Sequence, residues 1–361
     1  MTQHAPGNDY PLSEVPQHAR KGLASMAMVL LGFTFFTATM FAGGKLGVAY
    51  DFPTLLAVIV LGNLLLGLYA AILGYIAFSS GLNSALMGRF CFGERGSKLS
   101  DLILGFTQIG WYAWGTATEQ VGGLDGLLAR QPSGALDLST AITLVFGTFV
   151  SGATQATNWT RFSRSAKVAI SASLIGFFIG NGLMVLIGAY GAIVYQQPDV
   201  VEVLLLQGFA MAAMAMLLLN IWSTQDNTIY NFAVAGCNLL RTDRRKTVTL
   251  VGAVIGTLLA MLGMYDLLVP YLILLGTVIP PIGGVIMADF FYRWRGRYPR
   301  LAQSQLPVWN WPGLGAYGLG TLAAFCSPWV APLVGIGVAS LGYILFRTLL
   351  GGRAPIAADT A

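Results

Sequence analysis

The chain has 361 residues, 55% of them hydrophobic and only 10% charged, with a mean hydropathy of +0.68. That balance excludes an ordinary soluble domain and belongs to chains whose solvent is lipid. A net charge of +5 does not point to nucleic acid, because the basic residues come in short clusters between apolar stretches.

Residues 1–20 are polar, lack the order of a cleavable signal peptide, and read as a tail. About ten apolar stretches come after them, each long enough to cross a bilayer as a helix. They run over 25–50, 53–79, 99–119, 138–160, 167–194, 207–236, 247–263, 266–290, 310–327 and 330–350. Together they make residues 21–350 a transmembrane domain, with 351–361 a second tail. Residues 81–93 are too few and too polar to cross, and predict an interfacial helix. A second short amphipathic piece, 199–207, precedes the sixth span.

Basic residues orient the array. Of 20 Lys and Arg, only Lys45 and Arg130 fall outside one set of alternate connections and termini. Positive residues favour the cytoplasmic side, so that set is expected in the cytoplasm, with both termini there. Cys91, Cys237 and Cys326 show no paired spacing, and the two histidines form no metal motif. Nothing resembling a Ser-His-Asp or Cys-His arrangement or a nucleotide-binding loop occurs, so an enzyme is not expected. Asn158-Trp159-Thr160 fits a glycosylation sequon, but the topology puts it inside.

Three spans carry polar or small residues where hydrocarbon offers no partners. The sixth holds Asn220-Ile221-Trp222-Ser223-Thr224-Gln225-Asp226-Asn227, and such a cluster persists only beside a protein interior, cavity or ligand. The first contains Phe36-Thr37-Ala38-Thr39 and then Gly43-Gly44; the fourth contains Phe149-Val150-Ser151-Gly152. These either let helices approach closely or break them to expose carbonyl and amide groups at a transport site. Pro280-Pro281 with Gly283-Gly284 predicts a bend in the eighth span. The Asp289 and Arg293 pair at its end reads as interfacial. Asp226 is expected at the inner end of a cavity or capping a neighbour.

Several motifs, in order along nearly the whole chain, resemble the bacterial cytosine permeases of the nucleobase–cation symporter family. They include Leu31-Gly32-Phe33-Thr34-Phe35-Phe36, Leu61-Gly62-Asn63, Gln108-Ile109-Gly110-Trp111, Phe177-Phe178-Ile179-Gly180-Asn181, Asn220-Ile221-Trp222-Ser223-Thr224 and Ile279-Pro280-Pro281. The resemblance implies an all-α polytopic fold whose first ten helices form two inverted five-helix repeats. It also implies sodium-coupled uptake of a nucleobase, cytosine first, with purine, uracil or hydantoin as alternatives.

By that resemblance Trp111 and Phe149 sandwich the flat base, which offers two π-faces and free edges. Gln108 and Asn220 read its edge, since an amide both donates and accepts, and backbone groups around Ser151 and Gly152 add contacts. Gln108 lies three residues before Trp111, on one helical face. Sodium, a hard cation, takes the carbonyls of Phe36 and Thr39, Asn220, and the hydroxyls of Ser223 and Thr224. From the residues alone, Trp111 could simply pack, Asn220 could make an interhelical hydrogen bond, and Ser223 and Thr224 could bond their own helix.

The chain departs from the family at one place. After Trp111-Tyr112-Ala113-Trp114-Gly115 it passes within a few residues to Val121-Gly122-Gly123-Leu124-Asp125, which resembles the family's loop before its sixth helix. Roughly fifty residues, about two crossings, are missing. The first repeat is expected to be incomplete, which leaves a binding-competent but transport-deficient remnant as the alternative function.

Overall fold

The computed structural model describes residues 10–47, 49–105, 108, 137–194, 205–206, 208–261 and 268–350. Among them the only regular structure besides helix is an isolated bridge between Lys21 and Ser163. The first span is split into α1 (Leu23–Thr34) and α2 (Thr37–Gly47), while α3 (Phe52–Ser80) crosses unbroken. A short α4 (Ser84–Phe92) comes next, and residues 97–105 are helical, opening the third span. The fourth comprises α5 (Leu138–Gly147), α6 (Val150–Gln155) and α7 (Thr157–Thr160). The fifth runs through α8 (Ala166–Ser173), a π-helical stretch (Leu174–Gly180) and α9 (Asn181–Val194). Then come α10 (Ala210–Leu240) and α11 (Arg245–Met261). The eighth span is α12 (Leu268–Val278), α13 (Pro280–Ala288) and a π-helical turn (Asp289–Arg293); α14 (Trp311–Cys326) and α15 (Ala331–Leu350) are last.

By length and composition, four of the described helices can cross a membrane: Phe52–Ser80, Ala166–Ala192, Val269–Arg293 and Ala331–Leu350. A fifth is the bent pair at the first span, whose halves diverge by 59°. Every expected span contains helix, the third being described only over 97–105 and 108. Local chemistry sets the ends. Asp51 accepts from the Thr54 amide and Asp137 from the Thr140 amide, capping α3 and α5. Gly81, at φ 70°, closes α3 in the left-handed region that glycine adopts without strain. In the eighth span Pro280 and Pro281 open a new helical segment after Ile279, at the position of the expected bend.

In the first span the break falls at Phe35, not at the glycines. Thr34 Oγ1 donates back to the carbonyls of Leu30 (3.1 Å) and Leu31 (3.2 Å), and Phe35 leaves helical geometry with ψ 79°. Gly43 instead serves close packing. A Cβ on Gly43 would lie 2.0 Å from the Val185 carbonyl oxygen, and one on Gly188 2.0 Å from that of Met40. The two glycines thus let α2 and α9 meet backbone to backbone. Gly188→Val is expected to cost at least about 1–3 kcal/mol, the usual overpacking penalty. Wild-type monodispersity and melting temperature in the purified variant would count against that packing role.

Three features expected at the end carrying the basic clusters are packed into the protein. The helix expected at the interface, α4, is buried along nearly its whole length. It is held from beneath by Arg293 and Asn310, both donating to the Phe90 carbonyl at 3.2 Å. Asp289, at the end of the eighth span, is completely buried within the protein, accepting from the Tyr343 hydroxyl and from Arg293. A carboxylate there persists because each bond offsets part of its desolvation. Residues 10–20, read as part of the tail, pack against the rest of the protein. Val15 is buried and donates its amide to Gly81 (3.0 Å), Pro11 accepts from Asn83, and Glu14 accepts from the Leu301 amide at 2.6 Å. Completely buried Arg161 donates to the Tyr10 carbonyl at 2.7 Å. Residues 1–9, 351–361 and most of the expected piece at 199–207 lie outside the described residues.

Candidate functional site

The breaks in the first and fourth spans face one another. Between α5 and α6 the backbone leaves helical geometry at Phe149, with φ −136° and ψ 16°. The Phe149 ring meets Phe33 edge-on at 5.1 Å, Phe36 at 6.3 Å and Phe177 at 6.2 Å between centroids. Gly152 makes this convergence possible. A Cβ there would come within 2.7 Å of the Phe33 ring and 2.8 Å of the Phe149 ring.

A space of about 10 Å³ remains, lined by Phe33, Phe36, Gln108, Phe149, Ser151, Gly152, Thr224 and Thr228. Six of these were singled out from sequence: Phe36, Gln108, Phe149, Ser151, Gly152 and Thr224. The volume suits one water molecule, so a planar heterocycle enters only if the rings part. None of the lining residues is ionisable. Gln108 is 1% exposed, and neither its Nε2 nor its Oε1 has a hydrogen-bond partner among the described residues. A buried amide left so costs about 1–3 kcal/mol, which a ligand edge could recover.

Thr224 joins this space to the first break, its Oγ1 donating to the Phe35 carbonyl at 3.0 Å. Buried Thr39 sits one turn into α2, its hydroxyl without a partner among the described residues and its amide on the Phe36 carbonyl at 3.1 Å. Hydroxyl and carbonyl oxygens without carboxylates are the donor set a monovalent hard cation takes at a broken helix. Ser223 is half-buried and approaches Gly32 of α1. Asn220 is in the helical run of α10, but its side chain lies outside the described residues, as does Trp111 entirely.

Towards the basic end, the fourth span is tied to the third and sixth. Gln155 Nε2 donates to the Leu104 carbonyl (3.0 Å), and Asn158 Nδ2 to Asn231 Oδ1 (2.7 Å). Trp159 packs between Phe33 and Tyr230, with centroids 5.2 and 5.7 Å away. Asp226 takes no part; it is exposed on α10, as is Trp222 at 79%.

A family model described as "Permease for cytosine/purines, uracil, thiamine, allantoin" matches residues 14–121 and 113–345. Cytosine permeases of Escherichia coli strains K12 and O157:H7 are 33% identical over 404 aligned residues, covering 96% of this chain and 96% of each relative. The chain belongs to this permease family. Its members are transporters, not enzymes, and the chain is a multi-pass membrane protein. Among solved structures, it is similar to Mhp1, described as a nucleobase-cation-symport-1 family transporter in a closed conformation with bromovinylhydantoin bound. The TM-score is 0.82 at 17% identity, over 96% of both chains. Inward-facing Mhp1 gives 0.79, also at 17% identity, over 97% of this chain and 95% of that one. At that identity the likeness concerns the fold.

The family match locates the departure in the permease's sequence. It falls into two stretches meeting at 113–121, where the missing crossings were expected. Moreover, 404 aligned positions exceed the 361 residues available, so the relatives carry residues that this permease lacks. That junction lies outside the described residues. Beside the start of the third span is an apolar crevice of about 230 Å³, lined by Leu102, Gly105, Phe232, Gly236, Val248 and Val251 among others.

Two lining residues were not singled out from sequence. Thr228 had a usable signal: it lies four residues beyond Thr224, hence on the same face, and its hydroxyl donates to the Thr224 carbonyl at 2.9 Å. Phe33 had none beyond its place in a family motif, since one aromatic in an apolar run reads as packing.

Proposed function

We propose that this permease carries a nucleobase, cytosine first, across the bacterial inner membrane by alternating access, coupled to sodium. The observation that carries the reading is the small space between the two broken spans, where a buried amide without a partner among the described residues meets a cluster of aromatic rings. Gln108 supplies donor and acceptor to the base edge, and Phe149 supplies a face, with Trp111 as the expected second face. Ser151 and Gly152 offer backbone groups where the helix restarts. Asn220 is assigned to both ligands by its place in the motif.

Sodium is assigned to the carbonyls of Phe36 and Thr39 with Asn220, Ser223 and Thr224. No residue assigned to base or sodium carries a charge, which supports a metal ion over a proton as the coupling species. Thr224 belongs to both sites: it lines the space and meets the broken first span. Coupling requires such sharing, because each ligand shifts the conformational equilibrium only by its differential affinity for the two states. The basic clusters support a cytoplasmic location for both termini.

Uptake of labelled cytosine by cells lacking their own permease, with and without sodium, tests the reading. Uptake or binding that ignores sodium would overturn the coupling, and preference for a purine, uracil or hydantoin would overturn the substrate. Within this reading, Thr224→Val keeps the volume and removes one oxygen. It is expected to raise the sodium concentration needed for half-maximal binding by about tenfold, equivalent to 1.4 kcal/mol, with a smaller effect on sodium-free base binding. An unchanged sodium titration would remove Thr224 from the site.

A further inference from the structure

Beside the break in the fourth span is a buried polar cluster, none of whose members is assigned to base or sodium. Asn181, the first residue of α9, donates through Nδ2 to Asn63 Oδ1 on α3 at 2.7 Å and to Thr148 Oγ1 at 2.8 Å. Thr148 passes its own hydroxyl hydrogen to the Val145 carbonyl (2.6 Å), and Asn63 donates to the Ile59 carbonyl (2.8 Å). All three are buried, Asn63 and Asn181 completely. Both hydrogens of the Asn181 amide are therefore committed, one to each neighbouring span. At such burial, losing either acceptor strands a donor in a low-dielectric interior.

This clamp holds the residue before the break. Thr148 caps α5 and directly precedes Phe149, the one residue there outside helical geometry. One turn before Asn181, in the π-helical stretch, Phe177 lies against Phe149. A π-helical turn inserts a residue and re-aims the helix beyond it, and such turns concentrate at functional sites. Asn181 thus fixes the Phe149 backbone through Thr148, and the same helix supplies the ring packed behind it.

We propose that Asn181, acting with Asn63 through Thr148, is a positioning residue for the substrate: it sets the Phe149 ring at the angle and depth the base stacks on. The proposal rests on the reading of the space beside Gln108 as the base site. It separates Asn181 from the sodium ligands, which belong to the first and sixth spans.

The test uses the purified full chain, with two readouts: the cytosine dissociation constant at saturating sodium, and the shift in melting temperature caused by sodium alone. Thr148→Val removes the acceptor at nearly constant shape, whereas Thr148→Ser retains the hydroxyl. We expect Thr148→Val and Asn181→Ala each to weaken cytosine binding by about tenfold, as for loss of one buried hydrogen bond. The double variant should be no worse than the weaker single one. Thr148→Ser should bind like wild type, and the sodium shift should persist throughout. Cytosine binding in Thr148→Val equal to that of Thr148→Ser would overturn the proposal. So would parallel loss of the cytosine and sodium responses, which marks a merely structural bond. Should Asn181→Ala fail to fold, the two Thr148 variants decide the matter alone. A wild-type chain that responds to sodium but binds no nucleobase overturns the base-site reading, and this role with it.

Discussion

Replacing Gln108 with leucine is expected to abolish base binding while leaving the protein as stable as before, or more so. The two effects have one cause. The Gln108 amide is buried with neither polar atom partnered among the described residues. Folding therefore carries its desolvation penalty, about 1–3 kcal/mol, with no compensating bond. Leucine removes that penalty at similar volume. The base, however, loses both a donor and an acceptor, and its own edge groups are left unpaired in an apolar space. Two neutral hydrogen bonds at about 1 kcal/mol each put the loss of affinity at about thirtyfold, and that desolvation raises it further. Calorimetric titration with cytosine and thermal melting of the same preparation separate the two effects. Binding at wild-type affinity would remove Gln108 from the site. A lower melting temperature accompanying lost binding would mean that the amide has a structural partner and no recognition role.

The fold was legible because lipid makes a simple demand: backbone groups must be satisfied within each span, so long apolar runs read as helices. Positions of α3, α11 and α15 follow from that alone. Burial of α4 was not legible, since a short mixed-polarity segment looks the same whether it lies on a membrane or beneath two other helices. Only Arg293 and Asn310, distant in sequence, decide between these. Gly43-Gly44 and Gly152 illustrate the same limit from the other side. Glycine permits both a break and a close approach, and its neighbours in space determine which applies: a helix backbone at Gly43, two aromatic rings at Gly152.

At the site, Thr224 and Gln108 were readable as polar groups that hydrocarbon does not tolerate without a reason. The Asn63–Asn181–Thr148 clamp obeys the same rule. It is not legible in the sequence because its members lie on three separate spans, each contributing one polar residue to it. Pairing across spans is a tertiary fact that spacing does not encode.

Uptake, by contrast with binding, is expected to be slow in the chain as it stands. The residues assigned to base and sodium lie on the first, third, fourth and sixth spans, so the missing stretch at 113–121 removes none of them. By the resemblance, it removes a scaffold helix and an inner gate. Transport needs the inner path to open and reseal in each cycle, and such gating steps commonly limit turnover. The apolar crevice beside Leu102 and Gly105 is where a helix after the third span could pack, and α10 and α11 already form its far wall. Inserting the corresponding two-helix segment of a relative after Gly115 should therefore raise sodium-driven cytosine uptake by about tenfold or more, as relief of a rate-limiting gate would. The dissociation constant should change little, because the space between the two breaks is untouched. Both quantities can be measured on the same proteoliposomes, uptake with a sodium gradient and binding without one. If the unmodified chain already moves cytosine as fast as the restored one, the gate resides in segments it retains and the missing crossings are dispensable. If restoration sharpens affinity as much as rate, those crossings shape the site itself, and the separation between binding and gating fails.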